Sequence, residues 1–409
     1  MTIPFLTPTI FFILVTIFIM YKNGKYFFYK FLFLFVYLFL TSFFLKREPD
    51  HYTYLNFMTN TYTSISTALK ANSGVYTFAA SLVYIINQFV RSIDLSILIN
   101  NSFTITCIIC IPNIFSNNNS IIPLKKHIFQ LALIILSPMI VTSGKNMNKD
   151  LAVSFYLCLS FYTFYYMIEK MREIIHLKIK DITNIIFMIL LFIISTTYLN
   201  FVRSSLCSIF IVSIIIFIIS KILYFIFNKK VHINFISIIL IFISISYIQL
   251  FKWDSLIFSQ SENLGNATIK ELQGLSQPYI FDTLFYSLQG YFYSFFGIYI
   301  SQLSTNTLSL INFIPSVIIN ITYLILIIKL IKSDKNNLTL QNLCFCFIFF
   351  HIGIQIWGTP NYSNLFRQQI PDVFLIAIFL LIHKMKLKDN KVEPPNYSNI
   401  QISVIKNSN

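Results

Sequence analysis

The chain has 409 residues, of which 56% are hydrophobic and only 11% charged, and its mean hydropathy is +0.71. That balance excludes a soluble globular enzyme and indicates an integral membrane protein. The net charge of +15 invites a nucleic-acid partner. The cations, however, lie mostly in short turns between apolar runs, as the positive-inside pattern requires, and nucleic acid is excluded on that ground.

Apolar runs of about 17–22 residues mark the spans. The first is Pro4–Tyr21, which lacks the basic start and small-residue cleavage site of a removable signal. A turn with Lys22, Lys25 and Lys30 leads to the second, Phe31–Leu45, and then to a polar stretch, Lys46–Ser73. Gly74–Val90 is apolar but contains Ser81, Asn87 and Gln88 and ends at Arg91. Counting it as a span would put Lys125 and Lys126 on the outer side, so it reads as an amphipathic helix on the outer surface. Leu95–Phe115 is the third span, and Ile128–Ser143 runs outward to a loop over Lys145–Asp150. Leu151–Ile168 and Ile182–Val202 form a hairpin that brings Lys149, Asp150 and Arg203 to one membrane face. Leu206–Phe227 and Ile233–Phe251 follow, then a long outer loop over residues 252–309. Leu310–Ile331, Asn342–Thr359 and the short Val373–His383 complete the spans. The expected fold is all-α: one polytopic transmembrane domain, residues 1–383, with about eleven transmembrane helices. Two long outer loops, residues 46–94 and 252–309, carry amphipathic helices, and a basic polar tail, residues 384–409, lies inside. No internal repeat is visible, which counts against an inverted-repeat transporter.

The two basic residue types divide differently on this topology. Most Lys lie inside, but of the five Arg only Arg172 does, while Arg47, Arg91, Arg203 and Arg367 lie outside. Arg presents a planar fork of donors that suits phosphate, so the outer face is a candidate anion site; the alternative is contact with lipid headgroups. Carboxylates lie on the same side. Glu48 and Asp50 follow the second span, and Asp150 opens another. Such a group can act as general base in transfer to a sugar hydroxyl, or it can simply pair with Lys46 and Arg47. Asp50 is followed by His51, Tyr52 and Tyr54, which suit sugar stacking and hydrogen bonding. All six Cys fall in apolar spans and His51 is alone in the outer loops, so no metal or cofactor is expected.

In that order the motifs resemble those of bacterial polysaccharide polymerases of the Wzy and EpsG-like type. They are Arg47-Glu48-Pro49-Asp50-His51-Tyr52, the surface helix from Gly74 to Leu82, Ser137-Pro138 through Lys149-Asp150, Arg203, and Asn361-Tyr362 with Arg367 and Pro371. The resemblance implies an O-antigen or capsular polymerase in the bacterial inner membrane, working at its periplasmic face without a metal. Its partners would be a polyprenyl-pyrophosphate-linked oligosaccharide, membrane lipids and a chain-length regulator. Arg203 and Arg367 would hold pyrophosphate, with Arg47, Arg91 and Lys149 in support, and Asp50 or Asp150 would be the base. The competing expectations are a lipid-linked oligosaccharide flippase, which would favour charges in mid-span, and another polyprenyl-linked-sugar glycosyltransferase.

Overall fold

The computed structural model describes residues 8–43, 49–69, 77–114, 124–147, 149–172, 179–227, 233–250, 339–358 and 369–377, with the isolated positions 321 and 325. Among them every regular element is a helix. Arg47, Glu48, Arg367, the loop over 252–309 and the tail over 384–409 lie outside the described residues, as do the sequence-expected span over 310–331, apart from positions 321 and 325, and the end of the last one.

Two helices open the chain, α1 (Pro8–Asn23) and α2 (Lys25–Ser42). Gly24 joins them with φ of +51°, a left-handed conformation that a side chain resists. The buried face of α2 is Phe27, Lys30, Leu34 and Leu38, spaced three and four residues apart, whereas Phe28, Leu32, Phe33, Val36 and Leu40 are exposed. An apolar exposed face of this kind is what a helix presents to lipid.

The polar stretch after α2 folds into α3 (Pro49–Thr61) and α4 (Ile65–Leu69), which pack with α5 (Thr77–Val90) into a cap. The pattern for α3 is present in the sequence. His51, Tyr54, Met58 and Tyr62 recur at helical spacing and are all buried, while Tyr52, Asn56 and Thr59 between them are exposed. Tyr62 Oη hydrogen-bonds Ser81 Oγ of α5 at 2.9 Å. Burial pushes the Tyr62 phenol up, and the bond to Ser81 partly offsets this. At 1.5 Å per residue α5 is roughly 21 Å long, short of a ~30 Å hydrocarbon layer. It turns back at Arg91, a non-glycine residue at φ of +56°, and Ser92 caps the start of α6 (Ile93–Cys110).

The sequence-expected span Ile128–Ser143 is interrupted. Residue Ser137 is extended, as residues before proline prefer, and divides α7 (Leu124–Leu136) from α8 (Pro138–Lys145). The hairpin expected beyond it is present as α9 (Asp150–Arg172) and α10 (Ile179–Val202), followed by α11 (Ser204–Ile226) and α12 (Ile233–Leu250). The described chain ends with α13 (Thr339–Gly358) and a short α14 (Ile370–Leu375).

Five of these helices are long and apolar enough to cross a membrane: α2, α6, and the apolar stretches Asp150–Ile168, Thr183–Val202 and Ser204–Ile226 of α9, α10 and α11. Helix α9 is the central post, packing against α10, α6 and α14. Every side chain from Val153 to Phe161 is fully buried. Lipid is as apolar as these side chains, so helix association in a membrane rests on close packing and a few polar contacts. Those contacts are visible: Ser160 Oγ to Ser195 Oγ at 2.9 Å joins α9 to α10, and Ser237 Oγ to Ser220 Oγ at 2.9 Å joins α12 to α11. Tyr156 Oη donates to the Pro8 carbonyl at 3.2 Å and ties α9 to α1.

Candidate functional site

The site grows from the turn between α8 and α9. A buried asparagine on α6 fixes that turn. The side-chain amide of Asn101 donates to the carbonyls of Ser143, Gly144 and Asn146 at 3.2, 2.9 and 3.0 Å, and Asn100 Nδ2 in turn donates to Asn101 Oδ1 at 3.1 Å. Gly144 permits the approach of α2. A Cβ there would lie 2.6 Å from Leu38 Cδ2 and 2.9 Å from Cδ1. Next to it, Lys145 Nζ donates to the carbonyl of Ser42 at the end of α2.

The same turn receives the cap. The Met147 N–H donates to His51 Nδ1 at 3.1 Å. An imidazole nitrogen that accepts carries no proton, so His51 is neutral, protonated on Nε2. This contact ties the first turn of α3, with Asp50, to the segment that leads into Asp150. Asp150 is the first residue of α9, and Arg203 is the break between α10 and α11. The hairpin brings them together as expected: Arg203 Nη1 lies 3.6 Å from Asp150 Oδ1, with side-chain exposures of 19% and 3%. A carboxylate so buried is costly unless a cation accompanies it, and Arg203 supplies that charge.

The remaining sequence-expected residues divide. Lys149 precedes Asp150, half-buried, with its carbonyl accepting the Val153 N–H at 2.9 Å. Asp50 is exposed in the first turn of α3. Tyr52 is 57% exposed, whereas Tyr54 is 4% exposed and packs in the cap cluster with Met58, Ala80 and Met147. A ring enclosed in that way is a packing element, and Tyr52 is the one presented to the surface. Arg91 occupies the tight turn between α5 and α6 with its side chain exposed.

A second polar constellation was not anticipated from the sequence. His351 of α13 and Asp372 of α14 are 3% and 4% exposed, and His351 Nδ1 lies 2.9 Å from Asp372 Oδ2 and 3.1 Å from Oδ1. The signal was an ionisable residue inside an apolar run, set against another immediately after Pro371. Among the described residues no group of three or more His, Cys, Asp and Glu is arranged to hold a metal, and all six Cys are buried and free. No family model, curated protein or solved structure matches the chain.

Proposed function

We propose that the protein is a polysaccharide polymerase of the bacterial inner membrane, joining polyprenyl-pyrophosphate-linked repeat units at the periplasmic face. The observation that carries the reading is the Asp150–Arg203 pair, held at the same corner as the Asp50-bearing cap helix by the His51–Met147 contact. Asp150 engages Nη1 of Arg203, and a guanidinium has five donors, enough for an ion pair and a pyrophosphate oxygen together. Asp150 is buried against Arg203, whereas Asp50 is exposed in the first turn of α3, where an acceptor hydroxyl can reach it. Asp50 therefore takes the base role and Asp150 the positioning role. In the reaction the acceptor hydroxyl oxygen attacks the anomeric carbon of the donor glycan and its proton passes to Asp50. The bond from that carbon to the pyrophosphate oxygen breaks, and polyprenyl pyrophosphate departs with its charge matched by Arg203. Arg367 and Arg47 complete the anion site in this reading, with Arg91 and Lys149 at its edge.

The test is the surface polysaccharide of a strain lacking the gene. A polymerase acts after the repeat unit has crossed the membrane, so single repeat units should remain on the acceptor, and Asp50→Asn should reproduce that pattern with the protein at normal abundance. One observation favours a second reading, the lipid-linked oligosaccharide flippase: His351 and Asp372 form a buried ionisable pair of the type transporters use. Loss of even the single-unit band in the deletion strain would select it.

A further inference from the structure

The turn between α1 and α2 gathers positive charge that nothing around it answers. Lys22 and Lys25 are exposed on either side of Gly24, and Lys30 follows on the buried face of α2. Lys22 Nζ lies 5.8 Å from the centre of the Phe18 ring and Lys25 Nζ 5.7 Å from that of Tyr26. Lys30 is only 5% exposed, and its Nζ meets the neutral partner Cys110 Sγ at 3.8 Å. Among the described residues no carboxylate pairs with any of the three. The sequence explains why. The first acidic residue of the chain is Glu48, and α6, on which both helices pack, is followed by no charged residue until Lys125 and carries none after Asp94 in its first turn. The carbonyl end of α6, where Cys110 is the last residue, offers Lys30 roughly half an elementary charge. Three cations against half a charge leave the turn positive.

The same turn heads an apolar stripe. From Lys25, the residues Phe28, Leu32, Val36 and Leu40 recur at three- and four-residue spacing along α2, and all four are exposed. Tyr21 and Tyr29, also exposed, adjoin the cations in sequence, and tyrosine favours the level where headgroups meet hydrocarbon. We propose that this turn docks an anionic phospholipid, with its phosphate at Lys22 and Lys25 and an acyl chain along the α2 stripe. Ammonium groups act on a phosphate as point charges and need no fixed fork. Lys30 adds its field from within the bundle. A zwitterionic lipid offers the same phosphate but brings its own cation, which three lysines repel. A free phosphate ion gains nothing from the stripe. The docking site is remote from the Asp150–Arg203 corner. Ser42, at the other end of α2, receives Lys145 from the turn before α9, and 18 residues at 1.5 Å each put about 27 Å between the two ends.

The full-length protein in detergent is mixed with equimolar phosphatidylglycerol and phosphatidylcholine of identical acyl chains, and the lipids it retains are counted by native mass spectrometry. A lysine at a headgroup contributes about fivefold in binding, so the wild type should favour phosphatidylglycerol and Lys22→Gln/Lys25→Gln should lower that preference about 25-fold. Both side chains are exposed, so the variant should accumulate normally. Lys22→Arg/Lys25→Arg keeps the charge and should bind as the wild type does. Lys229→Gln/Lys230→Gln, in another of the expected inner turns, should keep the full preference. Equal retention of the two lipids by the wild type, or an equal loss in both glutamine variants, would overturn the proposal. Displacement of phosphatidylglycerol by inorganic phosphate at the same concentration would overturn it as well, by assigning the cations to a free ion. The measurement involves no glycan, so its failure leaves the polymerase reading where it was.

Discussion

Arg203 and Arg91 show how differently two exposed-face arginines are held. Arg203 is fixed by a buried carboxylate, so its removal does two kinds of damage. Arg203→Ala removes a cation from beside a buried carboxylate, at a cost of about 3–5 kcal/mol, and the combined Arg203→Ala/Asp150→Ala variant should recover much of the lost accumulation. On the proposed polymerase reading, Arg203→Lys should restore accumulation in part but not polymer length, because an ammonium does not replace a planar fork. Immunoblots with polysaccharide gels separate the two effects, and normal polymer from Arg203→Ala would remove the residue from the site. At Arg91 the backbone is the strained partner. With φ of +56° it occupies a conformation that costs a non-glycine residue roughly 1–2 kcal/mol, so Arg91→Gly should raise thermal stability while removing the guanidinium. A protein that becomes more stable and less active would assign the side chain to the chemistry. That Asp150 and Arg203 share one end of the hairpin was legible in the sequence, because two helices of similar length return their ends to one face, but their ion pair was not. Tyr54 was not. Aromatic residues in a loop and aromatic residues on a buried helix stripe look alike until the helix is recognised.

The elements that sequence reasoning found are those with uninterrupted apolar runs, α9, α10 and α11 above all. It missed α3 because the mean hydropathy of a cap helix is low and only its spacing betrays it. It also passed over the break at Ser137-Pro138, where a continuous apolar run is geometrically two helices. The turn after α8 depends on two small-residue choices that no hydropathy scale registers. Asn101→Leu keeps the branched shape but leaves three carbonyls without their donor, at roughly 1–3 kcal/mol for each that water cannot reach. A fall in the unfolding midpoint in detergent is the expected result. Gly144→Ala forces a Cβ against Leu38, and Leu38→Ala in the same chain should relieve it; a double variant no better than Gly144→Ala would show that the close approach of α2 and α8 is not what the glycine serves.

Across the whole molecule the expected orientation has the cap on the outer side. A Cys at Ser64, exposed in the turn before α4, should then react with an impermeant thiol reagent in intact spheroplasts, and one at Lys125 or Ser333 should not. The reverse pattern would invert the topology. The central place of α9 has a further consequence, for biogenesis. Its two flanks are completed at different times: α10 follows it directly, but α14 begins 198 residues after α9 ends (370 − 172), the last described helix to be made. At roughly 5–20 residues per second the ribosome needs about 10–40 s to supply it. Throughout that interval the flank of α9 that α14 covers faces lipid or a chaperone in place of its own partner. A nascent chain that stops short of α14 keeps that flank open, and membrane proteases can recognise the unfinished seam.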